Sequence, residues 1–224
     1  MWSYYGRKTK VVKYYPVPRY DTIIEPFAGT AVYSLHQDNW KKNVILIEKY
    51  DIIVNIWKYL QAASSEDILS LPDILPGQSI DDFSQMSNEE KWLVGFMINE
   101  GSANPKRKRS MSGNFASGYE RNREKIATNL FKIKHWDIRL GDYSDISNAE
   151  ATWFIDPPYQ HGGQYYRHNK INYESLSWWC KERYGQVIVC ENDKAGWMNF
   201  NPLKSMQGSL HRTVECMWTN DVAR

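Results

Sequence analysis

Cysteine is scarce. Cys180, Cys190 and Cys216 are the only three in 224 residues, too few and too scattered for a disulfide framework or a C-x-x-C metal site. The five histidines show no H-x-x-x-H or comparable spacing, so no structural metal is expected. No stretch approaches the length of a membrane span. The opening carries Arg7, Lys8, Lys10 and Lys13 without an apolar run behind them, so no signal peptide is expected. These absences point to a reducing, cytoplasmic setting. Internal repeats are absent too, and residues 1–20 contain no acidic side chain.

What is present suits one large α/β domain carrying an insertion. Hydrophobic residues make up 42% of the chain, enough for a sizeable core. Ten tryptophans and fifteen tyrosines supply rings that fill cores and also stack on bases. The formal net charge of +2 hides a segregation. Ser64 to Glu100 is acidic, whereas the stretch after it is basic, with Lys106, Arg107, Lys108, Arg109, Arg121, Arg123, Lys125, Lys132, Lys134 and Arg139. Separated charge makes a local field that the net value conceals.

Asp21 to Ile24 and Val44 to Ile47 read as buried strands, the first stopped by Pro26 and the second ending at Glu48. Ala31 to His36 is expected to open a helix between them, and Asp51 to Ala62 has apolar residues at helical spacing. Strand, helix and strand in this order predict a parallel sheet covered on both faces. Leu69 to Phe83 reads as a loop, Ser87-x-x-Glu90 as the capping box of a helix to about Met97, Gly101 to Tyr119 as a surface loop, and Arg121 to Leu130 as a helix. Asp137 to Leu140, Ala151 to Ile155 and Gln186 to Cys190 are further predicted strands, with a helix from Tyr173 to Tyr184. Arg212 to Thr219 is expected as an edge strand. The division is therefore a catalytic part, 1–63 and 136–224, interrupted by an inserted part, 64–135.

Two stretches carry chemistry. Glu25-Pro26-Phe27-Ala28-Gly29-Thr30-Ala31 is a glycine-containing turn after the first strand, and Glu48 stands at the tip of the second. Such a turn lets a ligand approach backbone, and such an acid can bind ribose hydroxyls. The second and third glycines of G-x-G-x-x-G are missing, so a dinucleotide phosphate cradle is not expected. The other stretch is Asp156-Pro157-Pro158-Tyr159. An acid at a strand end followed by two prolines gives a fixed carboxylate and carbonyls that no proline N–H engages, and Tyr159 offers a stacking face. Each stretch alone also fits an ordinary strand–turn junction.

Glu25-Pro-Phe-Ala-Gly, Glu48, Gly141-Asp142 and Asp156-Pro-Pro-Tyr occur in that order, each at a predicted strand end. With the N-terminal element Tyr4-Tyr5-Gly6-Arg7-Lys8, the chain resembles the Dam-type (D12 class) DNA adenine-N6 methyltransferases. The resemblance covers both ends of the chain and is weakest from about 64 to 135. It implies a Rossmann-like methyltransferase fold and S-adenosylmethionine as cofactor. By the resemblance, Glu25 to Ala31 wrap the cofactor's methionine end, Glu48 holds its ribose, and Asp142, with Tyr143 beside it, faces its adenine. Tyr4, Tyr5, Gly6 and Lys8 lie near the cofactor, and Asp156 lies between cofactor and target. Glu stands at position 48 where many relatives have Asp, and Ala28-Gly29-Thr30 departs from the commoner G-x-G.

The chemistry expected is gripping of an adenine amine by Asp156 and the Pro157 carbonyl, with Tyr159 stacked on a base flipped out of double-stranded DNA. Target recognition is then expected from the insert: Lys106, Arg107, Lys108, Arg109, Arg121, Arg123 and Lys125 on phosphates, and Asn114 or Tyr119 on bases. An RNA base-amine methyltransferase and a catalytically idle DNA-binding protein compete with this expectation. The lack of a nuclease motif fits a solitary bacterial or phage enzyme.

Overall fold

The computed structural model describes residues 1–99, 101–111, 116–207 and 212–221. The chain packs as two compact units, Met1–Arg7 with Tyr50–His135, and Lys8–Lys49 with Trp136–Arg224. The expected insert, 64–135, falls within the first of these units.

The first unit is helical: α1 (Asp51–Ala62), α2 (Ser65–Leu69), α3 (Asn88–Met97) and α4 (Ala116–Ala127). Helix α1 has the bounds that its apolar spacing predicts. Ile53, Ile56, Trp57 and Leu60 line its buried face, a three-and-four spacing that makes one stripe. Trp2 meets Trp57 edge-on, ring centroids 4.9 Å apart, and both are fully buried. Capping boxes start two of these helices, Ser64 with Asp67 for α2 and Ser87 with Glu90 for α3; each satisfies two otherwise orphaned N–H groups. Gly95 lets α3 close on residues 105–106, since a Cβ there would stand 2.6 Å from the Lys106 carbonyl oxygen.

The second unit is a seven-stranded sheet of β1 (Thr22–Glu25), β2 (Asn43–Glu48), β3 (Asp137–Leu140), β4 (Ala151–Ile155), β5 (Gly185–Asn192), β6 (Asn201–Gln207) and β7 (Arg212–Thr219), with helix α5 (Tyr173–Lys181). The strand order is β3-β2-β1-β4-β5-β7-β6. Strands β1 to β5 are mutually parallel, and β7 runs antiparallel to both its neighbours. The continuous apolar runs of β4 and β5 are buried throughout, as parallel strands covered on both faces require. On one face Leu176 and Cys180 of α5 pack on Trp153, Ile155, Val187 and Val189. On the other, Tyr33 stacks on Phe154 at 4.2 Å and Tyr15 meets Phe154 edge-on at 5.0 Å.

Two expectations are corrected. Residues 31–36 form turns, not a helix. The carboxylate of Glu25 accepts from the Ser34 N–H at 2.9 Å, taking the donor that an α-helix would use, and Ala31 has φ 45°. Strand β6, which the sequence reading did not include, takes the edge position, where its Pro202 is tolerated. The antiparallel strand 212–219 thus lies one place in from the edge.

Gly185 opens β5 with φ +91°, opposite Ala151, and an added Cβ would lie 2.2 Å from the Ala151 carbonyl oxygen. Gly185→Ala is expected to destabilise the protein by at least about 2 kcal/mol, from left-handed strain plus overpacking, measured by urea denaturation.

Candidate active site

In a parallel sheet ligands gather outside the carboxyl ends of the strands. In the second unit those ends carry five acids: Glu25 (β1), Glu48 (β2), Asp142 just after β3, Asp156 just after β4, and Glu191 near the end of β5. Glu25 is buried, and besides the Ser34 N–H it accepts the Ser34 hydroxyl at 2.5 Å. Burial pushes its carboxyl up to about 8 against the opposing pull of these bonds.

Residues 26–31 are pinned to β2. The Ala28 N–H donates to the Ile47 carbonyl at 3.2 Å, and the Gly29 N–H donates to Glu48 Oε2 at 3.0 Å. Gly29 adopts φ 47°, a conformation that glycine takes without steric cost. The Gly141 N–H donates to the Glu48 carbonyl at 3.1 Å, which brings Asp142 alongside. Asp142 accepts the Ser144 N–H and hydroxyl at 3.1 Å each and pairs with Lys49. Burial raises its carboxyl, but Lys49 and Ser144 outweigh that and hold it below the usual carboxylate value. The rings of Phe27 and Tyr143 stand 5.4 Å apart. The turn, Glu48, Asp142 and Tyr143 are thus brought together. Pro26 and Thr30 belong to the same turn.

Asp156 anchors the second cluster. Lys8 Nζ lies 2.9 Å from Asp156 Oδ1 and 3.8 Å from Glu215 Oε1, with the Lys8 side chain 8% exposed. The hydroxyls of Tyr15 (2.6 Å) and Tyr159 both donate to that same Glu215 oxygen. Lys8 Nζ also sits 4.5 Å from the centre of the Tyr159 ring. Burial opposes the charge on Lys8, yet Asp156 and Glu215 overcome it and hold the ammonium above the usual lysine value. Burial pushes Asp156 up to about 6, with Lys8 pulling it down and Glu215 and Glu191 pushing it further up.

The rest of Asp-Pro-Pro-Tyr is equally constrained. The Tyr173 hydroxyl donates to the Pro158 carbonyl at 2.7 Å, while the Pro157 carbonyl accepts from no side chain or N–H among the described residues. Gly163 packs so closely that a Cβ would stand 2.9 Å from the Pro158 carbonyl carbon. Glu191 accepts from the N–H groups of Gln160 (2.6 Å) and Asn192 (2.8 Å) and from the Trp197 indole at 3.1 Å.

The N-terminal element is divided. Lys8 belongs to the second unit, whereas Tyr4, Tyr5 and Gly6 belong to the first, where Tyr4 meets Phe96 edge-on at 5.5 Å and the Tyr5 N–H donates to the Ser102 carbonyl.

Three residues expected to meet DNA are internal to the first unit. Arg123 donates to the Leu71 carbonyl and pairs with Asp73 at 3.0 Å, Tyr119 donates to the Pro72 carbonyl at 2.9 Å, and Arg109 donates to the Ile74 carbonyl. The loop 71–74 has no strand to satisfy its carbonyls, so side chains do it. Lys106, Arg107, Lys108, Arg121 and Lys125 are exposed, Arg107 with Asp81 at 3.6 Å. Asn114 lies outside the described residues.

Sequence reasoning missed Tyr15, Tyr173 and Glu215. A signal for Glu215 was available: an acid in an apolar strand, Val214-Glu215-Cys216-Met217-Trp218, that is only 4% exposed in the structure.

A seven-stranded, mostly parallel sheet of this order, with a single antiparallel strand, is the Rossmann-like methyltransferase fold. Residues 4–199 match the D12 class N6 adenine-specific DNA methyltransferase family, and the chain belongs to that family. It is a site-specific DNA methyltransferase acting on the N6 amine of adenine, using a methyl donor. No curated protein sequence matches it. Among the described residues, no helix is long and apolar enough to cross a membrane, and no group of His, Cys, Asp or Glu could hold a metal ion.

Proposed function

We propose that the methyl donor is S-adenosylmethionine, held by the first cluster, and that the second cluster grips an adenine flipped out of double-stranded DNA. The donor set fits such a cofactor. Glu48 offers a carboxylate to vicinal hydroxyls, Phe27 and Tyr143 offer apolar faces to a planar ring, and the Ala28–Ala31 turn brings backbone close. Acids at the strand ends suit a sulfonium cation. When bound, S-adenosylmethionine supplies an electrophilic methyl group.

Adenine's exocyclic amine is a weak nucleophile because its lone pair is delocalised into the ring. The Asp156 carboxylate and the Pro157 carbonyl accept its two hydrogens, which turns the lone pair outward. Rigid prolines hold both acceptors in place before the substrate arrives, so positioning supplies much of the rate. Tyr159 stacks on the base, and its hydroxyl, tied to Glu215, keeps the ring from swinging away. The exposed cations of the 64–135 segment, Lys106, Arg107, Lys108, Arg121 and Lys125, meet DNA phosphates there. The observation that carries this reading is the Lys8–Asp156–Glu215–Tyr159 cluster, in which buried Lys8 and Glu215 hold a half-buried Asp156 and Tyr159.

The test is a pH profile of kcat. Asp156 must be ionised to accept a hydrogen, and its carboxyl sits at about 6. The rate is expected to fall as pH drops through about 6, approaching a tenfold loss per pH unit below it. A profile flat from pH 7 to 4.5 would sink the assignment.

A further inference from the structure

The N-terminal segment of the second unit presents a surface that the site chemistry leaves unused. Val12–Tyr14 is a 3-10 turn, in which residues three apart eclipse. Val12 and Tyr15 therefore share the inward side and are buried, while Lys13 and Tyr14 are exposed. Tyr15 reaches Glu215. Tyr14, 39% exposed, has two ammonium groups on its ring: Lys13 Nζ at 5.2 Å and Lys204 Nζ at 4.9 Å from the centroid. Hydrogen bonding to Lys204 lowers the Tyr14 hydroxyl from its ordinary value.

Lys204 comes from β6, and its place is set by register. It pairs with Glu215, which in turn pairs with Asn192 of β5. Directly opposite residues in antiparallel pairs point to the same face, so Lys204 stands on the face of the sheet that carries Glu215. A row thus runs from the β4–β5 end of the active site outward to the sheet's edge. Lys204 and Glu215 both lie beyond the 4–199 family match, and residues 1–20 bring no acid to this surface.

We propose that Lys13, Tyr14 and Lys204 form a second DNA contact, gripping the phosphate backbone outside the catalytic centre. The proposal rests on the adenine being bound at Asp156. A strand feeding its base to β4 must continue across the unit's surface. With strands about 4.8 Å apart, β6 lies roughly 14 Å from β4, or about four phosphates at ~3.4 Å each along a duplex. Two cations beside one exposed ring suit a run of phosphates, and the ring offers an apolar face to a sugar or base. An acidic protein surface would also match the charge, but DNA is the partner that the active site already brings to this edge.

The experiment compares wild type, the double variant Lys13→Gln/Lys204→Gln, and Lys181→Gln, an exposed lysine on α5 across the sheet. Binding to a linear mixed-sequence duplex is followed as a function of salt. Losing two phosphate contacts should make the log K against log salt slope shallower by about 1.8, at roughly 0.9 per contact. The plasmid concentration for half-maximal methylation should rise about tenfold near ~0.15 M salt, with kcat at saturating DNA unchanged. Lys181→Gln should behave as wild type. An unchanged slope overturns the proposal, as does a double variant that alters sedimentation of the free protein while leaving DNA binding intact. The slope is read without methyl transfer, so its failure is distinguishable from failure of the Asp156 assignment, which Asp156→Asn reports.

Discussion

Asp156→Asn is expected to lower kcat by about 10²–10³-fold, the usual cost of removing one preorganised partner of a developing charge. Asparagine is nearly isosteric and can still meet Lys8 through its amide oxygen, so the fold and the 2.9 Å contact have a substitute. In the proposed grip, what disappears is the full negative charge set against the amine as the nitrogen becomes positive. Binding of S-adenosylmethionine, measured by calorimetry, should change by no more than a few-fold, because Glu48 and the residue 26–31 turn are untouched. A loss of cofactor affinity matching the loss in kcat would place Asp156 in cofactor binding instead.

Lys8→Met should show the largest combined effect. Lys8 is the cation between Asp156 and Glu215, and the ammonium is almost fully buried. Removing one partner of a buried pair costs about 3–5 kcal/mol because the remaining charge is left uncompensated, which lowers the melting temperature by roughly 10 °C. The effect on rate has a definite sign. Lys8 pulls the Asp156 carboxyl down, whereas burial and Glu215 push it up. Without Lys8 the carboxyl rises above about 6, so the acid limb of the kcat profile moves to higher pH. The deficit relative to wild type should therefore be smaller at pH 9 than at pH 7. An unmoved limb would show that Lys8 acts on the fold alone.

Much of this was legible in the sequence because parallel strands buried on both faces read as unbroken apolar runs. Val44 to Ile47 and Ala151 to Ile155 are of that kind, and each is followed by an acid that the sheet carries to its carboxyl edge. Helix α1 was legible from its stripe, and α3 from Ser87 and Glu90. The failures have a common cause in distant partners. Residues 31–36 have helical composition, but the buried Glu25 takes the Ser34 N–H. Arg109 and Arg123 are indistinguishable in composition from phosphate contacts, and Tyr119 from a base contact; only the carbonyls of Leu71, Pro72 and Ile74 draw them inward. The place of Glu215 depends on the register of β7 against β5, which no local pattern encodes. Asp156-Pro157-Pro158-Tyr159 and Lys8 were legible as candidate site residues, but not the pairing of Lys8 with Asp156, nor the Tyr15 and Glu215 that join them.

The most direct test supplies S-adenosylmethionine with a labelled methyl to the wild-type chain and to Asp156→Asn, using plasmid DNA and, separately, RNA. After digestion to nucleosides, the label should appear in N6-methyladenine from the plasmid alone, at one recurring sequence, and should be lost with the variant. Undiminished label from Asp156→Asn, or label carried into RNA or onto another base, would contradict the assignment of Asp156 as the group that grips the adenine.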